Sequence, residues 1–195
     1  TGLIAASENP KNTIAFRELL RGKNLLVYSS FDVIGVQICA ATKNVIAVAF
    51  GCLDATAQTS DLFGDNTESL LLAAGLNEIQ ALGVAMGATH AETFTSISGV
   101  GDLDVTCRSK YGRNRRFGQE IITKNILKNF SSIDDLIERI DEIGYLPEGA
   151  VACKHVHEIV EKHNLKLPIS TGLYRLLNRE IEPEDLLDEF LGDDK

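Results

Sequence analysis

The chain has 195 residues, 44% of them hydrophobic and 24% charged, with 19 Lys and Arg against 28 Asp and Glu for a formal net charge of −9. This composition leaves enough apolar mass for a real core in one large domain, or in one and a half small ones. The acidic balance argues against a general nucleic-acid binder, which needs a basic face. Four cysteines, Cys39, Cys52, Cys107 and Cys153, lie far apart with no C-x-x-C pair, which predicts reduced thiols in a cytoplasmic protein rather than zinc ligands or a disulfide framework. His155 and His157 are two apart and point to different helix faces, so no metal site is expected. No leader pattern opens the chain.

In chain order, residues 1–7 read as a short strand, 12–20 as an amphipathic helix closed by Gly22, and 24–28 as a second strand. A lone βαβ unit cannot bury both faces of its sheet, so residues 1–31 are expected to be the end of a larger α/β domain. From Asp32 the texture becomes helical. Asp32 is placed to cap a helix through Phe50. That helix is very apolar but is interrupted by Lys43-Asn44, which suits a core helix better than a membrane span. A polar loop is expected from Leu53 to Gly64, then a helix capped by Asp65 or Asn66 and running to Met86. Thr89-His-Ala-Glu92 has the spacing of a capping box for a short helix ending near Ser98. Further helices are expected to start at Asp102, Ser132, Glu148, Pro168 and Pro183. The acidic tail from Glu182 reads as a solvated helix and frayed end.

The chemistry-bearing residues cluster. Lys43 sits on the most apolar helix, where an ammonium is costly unless it is paired; it either does acid–base work or snorkels out along its stem. Asp102 follows Gly99 and Gly101 and reads either as a partner for a cation such as Lys43 or as a helix cap. Thr106 falls on the same helix face, four residues on. Gly99-x-Gly101 begins like a dinucleotide fingerprint, but Asp104 occupies the third glycine position and no strand precedes it. Five of the nine residues from Arg108 to Arg116 are cationic, an unusual density in an acidic chain that points to a small anion such as phosphate. Arg113, Asn114, Arg115 and Arg116 could supply guanidinium forks and an amide to it, or could form a solvated charge run.

Taken together, the chain resembles the C-terminal part of the NAD-dependent glycerol-3-phosphate dehydrogenases, from Thr1 to about Asn178. The matching motifs are Val33-Ile-Gly, Ala41-Thr-Lys-Asn-Val-Ile-Ala47, Phe63-Gly-Asp-Asn66, Gly99-Val-Gly-Asp-Leu103 with Thr106-Cys107, Arg113-Asn-Arg-Arg-Phe-Gly118, Glu148-Gly149 and Pro168-Ile169. The resemblance implies a mainly α fold: a helical domain at 32–195, like that of 6-phosphogluconate dehydrogenase, preceded at 1–31 by a βαβ remnant of an NAD-binding Rossmann domain. It also implies a function, the interconversion of dihydroxyacetone phosphate and sn-glycerol 3-phosphate with NAD, or alternatively NADP, as cofactor. This chain would supply the substrate and acid–base half, inactive without the Rossmann half.

On that resemblance Lys43 is the catalytic lysine and Asp102 the acid that holds it and a substrate hydroxyl. Asn44, Thr106 and Asn114 line the substrate phosphate, Arg113 reaches that phosphate and the cofactor pyrophosphate region, and Glu148 is a cofactor-side residue on a mobile loop. The implied setting is a cytoplasmic homodimer acting on a small phosphorylated substrate, with no nucleic-acid or membrane partner. The sequence departs from the family in a segment between Gly51 and Phe63 about four residues longer than expected, in Glu68 where a cation is usual, and in Ala74 where an arginine is common. Two other readings are open. One is a related helical-domain dehydrogenase acting on another small alcohol; the other is a non-catalytic helical dimerisation or ligand-binding module.

Overall fold

The computed structural model describes residues 1–58, 64–186 and 190. Two strands, β1 (Gly2–Ala6) and β2 (Leu26–Ser30), pair in parallel from Gly2 opposite Leu26 to Ala6 opposite Ser30. Helix α1 (Pro10–Leu20) connects them; Asn9 caps it by accepting the Lys11 N–H, and Pro10 occupies its first turn. With two strands among the described residues, much apolar surface stays uncovered, including Phe16 (56% exposed), Leu19 (76%) and Leu26 (62%).

Beyond Asp32 the regular elements among the described residues are all helical. Helix α2 (Val33–Ala57) is followed by α3 (Asp65–Ala85), α4 (Glu92–Thr95) and a π turn at Ile97–Gly101. Then come α5 (Asp102–Arg108), α6 (Arg113–Lys124), α7 (Ile133–Glu138), α8 (Glu148–His163) and α9 (Pro168–Leu177), with short 3-10 turns at Ile126–Asn129, Ile140–Ile143 and Pro183–Asp185.

Helix α2 is the axis of the fold. Its length and composition would let it cross a membrane, yet half of its most apolar window is buried in protein. One face, with Val45, Val48 and Cys52, packs with Phe117, Ile121, Ala150 and Leu173 of α6, α8 and α9. The other, with Ile46, Phe50 and Leu53, packs with Leu71 and Ile79 of α3, Phe94 and Leu103. Each fully buried large side chain among these contributes about 1.5–3 kcal/mol. The α2–α6 crossing is backbone against backbone. A Cβ on Gly118 would lie 2.0 Å from the Val48 carbonyl oxygen, and one on Gly51 2.0 Å from that of Arg115. Only glycine allows this approach, and it brings the start of α6 alongside the middle of α2.

Several expectations are corrected. Residues 53–57, expected in a polar loop, continue α2; Thr56 bonds back to the Cys52 carbonyl (3.0 Å), and Asp54 is held by α6. Residues 59–63 of that segment, Phe63 among them, lie outside the described residues, as does most of the acidic tail. The capping box at Thr89–Glu92 does not form. Thr89 Oγ1 meets His90 Nδ1 at 2.7 Å instead, and α4 is a single turn that ends at Thr95.

The Thr89 N–H that the box would have given to Glu92 goes to Asp32 instead. Asp32 caps α2 through the Gly35 N–H (3.0 Å) and also accepts from the N–H groups of Thr89 and His90 and from the Thr93 hydroxyl (2.8 Å). Burial alone would raise its pKa, but these four donors hold it below the ordinary aspartate range. Asp32 therefore pins the segment leading into the π turn onto the start of α2.

Candidate active site

Lys43 and Asp102 meet. Lys43 Nζ donates to Asp102 Oδ2 at 2.6 Å, with the two side chains 21% and 35% exposed. The lysine does not snorkel into open water. Neighbouring Thr42, Val45 and Ile46 are buried, so its stem lies against core and its head is half-covered. Asp102 is placed by the π turn before it and sits in the first turn of α5, where the helix dipole favours a carboxylate. A cleft of about 560 Å³ runs between residues 1–4 and the α2–α5 wall, and Gly101, Asp102, Val36 and Ala40 help line it.

The residue after the lysine begins a second chain of contacts. Asn44 Oδ1 accepts from Asn114 Nδ2 (2.9 Å), and Asn114 Oδ1 accepts from the Gly149 N–H (2.9 Å). Asn114 is 5% exposed, so this bracket joins α2, α6 and α8 in the interior. Gly149 fits because a Cβ there would stand 2.4 Å from the Asn44 carbonyl oxygen. Thr106 shares the Asp102 face, as its spacing requires, but its hydroxyl donates to the Asp102 backbone carbonyl at 2.5 Å.

At the outer end of the bracket, Arg113 and Glu148 form an ion pair, Nη2 to Oε1 at 2.5 Å. Arg113 opens α6 and Glu148 opens α8. The helix start expected at Glu148 holds: it is the first residue of a sixteen-residue helix whose start is locked by Gly149, which corrects the loop placement that the resemblance implies. Gly112 at the α6 N-cap brings no side-chain acceptor. The first-turn N–H groups, together with the Arg113 guanidinium, therefore form a cationic surface that suits a phosphate.

The rest of the cationic block does other work. Arg115 is 14% exposed and pairs with Asp54 (2.9 Å) while also donating to the Arg108 carbonyl (2.8 Å). Arg116 stacks over Tyr145 (4.4 Å) and pairs with Glu120 (3.0 Å). Arg108 bridges Asp104 and Glu68. Of the two readings open for Arg115 and Arg116, the contacts within the chain favour the charge run over an anion site, since each arginine has a carboxylate partner in this chain. Glu68 is equally absorbed by Arg108, and Ala74 packs beside the α2–α3 core.

Three acids were missed by sequence reasoning. Asp54 was hidden by the polar run mistaken for a loop. Glu78 is 5% exposed and caps α9 through the Ile169 and Ser170 N–H groups (2.6 and 3.0 Å) and the Ser170 hydroxyl. Burial raises its pKa despite those bonds. Its position on the stripe of Leu71, Gly75, Ile79 and Leu82 was the available signal. Glu120 lies between Arg116, Lys124 and the Tyr145 hydroxyl; burial opposes ionisation there, but the three donors bring its pKa down to about 2. The four cysteines are buried thiols. Burial pushes Cys39 to about 11 and Cys52 and Cys107 to about 12, which leaves them unreactive.

Similar proteins agree with one another. The family model described as "NAD-dependent glycerol-3-phosphate dehydrogenase C-terminus" matches residues 32–188. A relative from Treponema denticola, named glycerol-3-phosphate dehydrogenase (NAD(P)+), is 71% identical over 100% of this chain and 55% of its own length. One of the same name from Clostridium tetani is 35% identical over 100% of this chain and 52% of its own. A crystal structure of glycerol-3-phosphate dehydrogenase from Coxiella burnetii superposes with a TM-score of 0.82 at 30% identity, covering 99% of this chain and 55% of that one. The chain spans about half the length of the curated relatives it matches. With residues 32–188 matched by the family's C-terminal model, the chain belongs to the NAD-dependent glycerol-3-phosphate dehydrogenase family.

Proposed function

We propose that this chain is the substrate-binding and acid–base half of an NAD(P)-dependent glycerol-3-phosphate dehydrogenase, interconverting dihydroxyacetone phosphate and sn-glycerol 3-phosphate. One observation carries the reading: a half-covered lysine amine sits 2.6 Å from a carboxylate beside a cleft. As the substrate ketone is reduced, negative charge grows on its oxygen, and an ammonium at that oxygen stabilises the charge and donates the proton. In the oxidising direction the neutral Lys43 amine takes the hydroxyl proton. Asp102 orients the amine through one bond and leaves its remaining positions for substrate. The dinucleotide, when bound, supplies or accepts the hydride.

The phosphate belongs at the start of α6, on Arg113 and the first-turn N–H groups. Asn44 and Asn114 set the spacing between the two ends of the site, and Thr106 steadies Asp102 through the first turn of α5. Arg113 and Glu148 also fit the cofactor side, a cation and an acceptor at adjacent helix starts. Residues 1–31 fit the edge of the nucleotide-binding half, because the exposed Phe16, Leu19 and Leu26 call for more protein against them. Four buried free thiols support a cytoplasmic setting for the full enzyme, and the family resemblance supports a homodimer.

The test is turnover by the full-length protein. Glycerol 3-phosphate with NAD+ or NADP+ should give a rising reduced-nicotinamide absorbance, and glycerol without the phosphate should give far less. No turnover of glycerol 3-phosphate, with turnover of a different alcohol, would transfer the site to a related dehydrogenase.

A further inference from the structure

Arg113 is electrostatically misplaced on its own helix. A cation in the first turn opposes the helix dipole, at a cost that a neighbouring anion removes. In this structure that anion is the Glu148 carboxylate, 2.5 Å from Nη2. The arrangement is built rather than accidental. Glu148 stands on the first turn of α8, where the dipole favours it, and the next residue, Gly149, is fixed to Asn114 of α6 and packed against Asn44 of α2. Both partners remain reachable, with Arg113 56% and Glu148 39% exposed.

We propose that Glu148 is an affinity-setting residue of the phosphate site, an internal carboxylate that occupies Arg113 and that a phosphate must displace. The proposal rests on the reading that Arg113 receives the substrate phosphate. A carboxylate brings one charge and, with its backbone fixed, reaches only the guanidinium. A phosphate dianion brings more charge and can span Arg113 and the uncapped N–H groups of α6 together. The exchange therefore favours dianionic phosphate monoesters and resists singly charged carboxylates, which gain little over the resident group. Unlike Arg115, which is 14% exposed and shared between Asp54 and the Arg108 carbonyl, Arg113 is open to solvent and pairs among the described residues with Glu148 alone, so a phosphate can reach it.

The experiment measures glycerol 3-phosphate binding to the full-length enzyme by calorimetry, without dinucleotide. Four proteins are compared: wild type, Glu148→Gln, Arg113→Ala and the double variant. Removing an exposed ion pair should tighten binding about two- to fivefold in Glu148→Gln. In the Arg113→Ala background the same substitution should change affinity much less, because the guanidinium it competed for is gone. Equal tightening in both backgrounds, or no tightening in Glu148→Gln while Arg113→Ala weakens binding, would overturn the competition. If Arg113→Ala itself leaves affinity unchanged, the assignment of the phosphate to Arg113 fails and the competition falls with it.

Discussion

Helix α2 carries two ion pairs on nearly the same face, about three turns apart, and they are opposites. At its middle, Lys43 makes one bond to Asp102, its only hydrogen-bond partner among the described residues, and Asp102 lines an open cleft. Near its end, Asp54 takes Arg115 through two nitrogens and also accepts from Gln119, while Arg115 spends a further nitrogen on the Arg108 carbonyl and lies 5.7 Å from the centre of the Phe50 ring. The second pair is saturated and covered and holds α6 against α2. The first is left with bonding capacity facing a cavity. Valence left unspent beside a cleft, rather than charge or burial alone, separates a working pair from a structural one.

Substitutions can break this contrast, and the largest effect belongs to the structural pair. Asp54→Ala leaves Arg115 nearly buried without its acid and should cost about 3 kcal/mol of stability in a denaturant titration. Catalysis per folded molecule should hardly change, and a large loss of kcat in the folded fraction would erase the distinction. Asp102→Asn should do the reverse, lowering kcat about a hundredfold while stability moves by less than about 1 kcal/mol, since a partly exposed pair contributes little to folding.

Two smaller effects sharpen the account of the frame around these pairs. Glu78→Ala should cost about 1–3 kcal/mol by leaving the Ile169 and Ser170 N–H groups without an acceptor, and thermal melting would register it. The two buried glutamates should also differ in sign with pH. Glu120 has a lowered folded pKa of about 2, so its contribution is full above the ordinary 4.5 and is lost as pH falls toward 2. The folded pKa of Glu78 is raised, so its contribution is full below 4.5 and is lost as pH rises through the folded value. Acid titrations of Glu120→Gln and Glu78→Gln, each compared with wild type, should therefore diverge in opposite directions; parallel curves would contradict both assignments.

Much of this was legible in the residues. The βαβ unit, the cap at Asp32, and the helix starts at Asp102, Ser132, Glu148 and Pro168 are local signals, and the chain obeys them to within a residue. The pairing of Lys43 with Asp102 was open from spacing alone, because a lysine on an apolar helix and an acid after two glycines each have a bland reading. What sequence could not show was long-range. The end of α2 was lost because the acid that makes Asp54-Ala-Thr-Ala look like a loop finds its cation on α6. The Thr89 capping box failed because Asp32 took the backbone donors at Thr89 and His90. The cationic block looked like a single anion site, yet Arg113 and Arg115, two apart on α6, go to opposite uses. Their different partners come from α8 and α2, and no local pattern records that.

The central claim is that Lys43 moves a proton, and Lys43→Arg in the full-length enzyme tests it most directly. Arginine keeps the positive charge and the capacity to pair with Asp102, but it does not give up its proton near neutral pH. The account predicts that Lys43→Arg folds like wild type, keeps its cofactor affinity and loses kcat about as deeply as Lys43→Ala, by roughly 10²–10⁴. Near-wild-type turnover in Lys43→Arg would show that the charge alone suffices and would contradict the proton-transfer role.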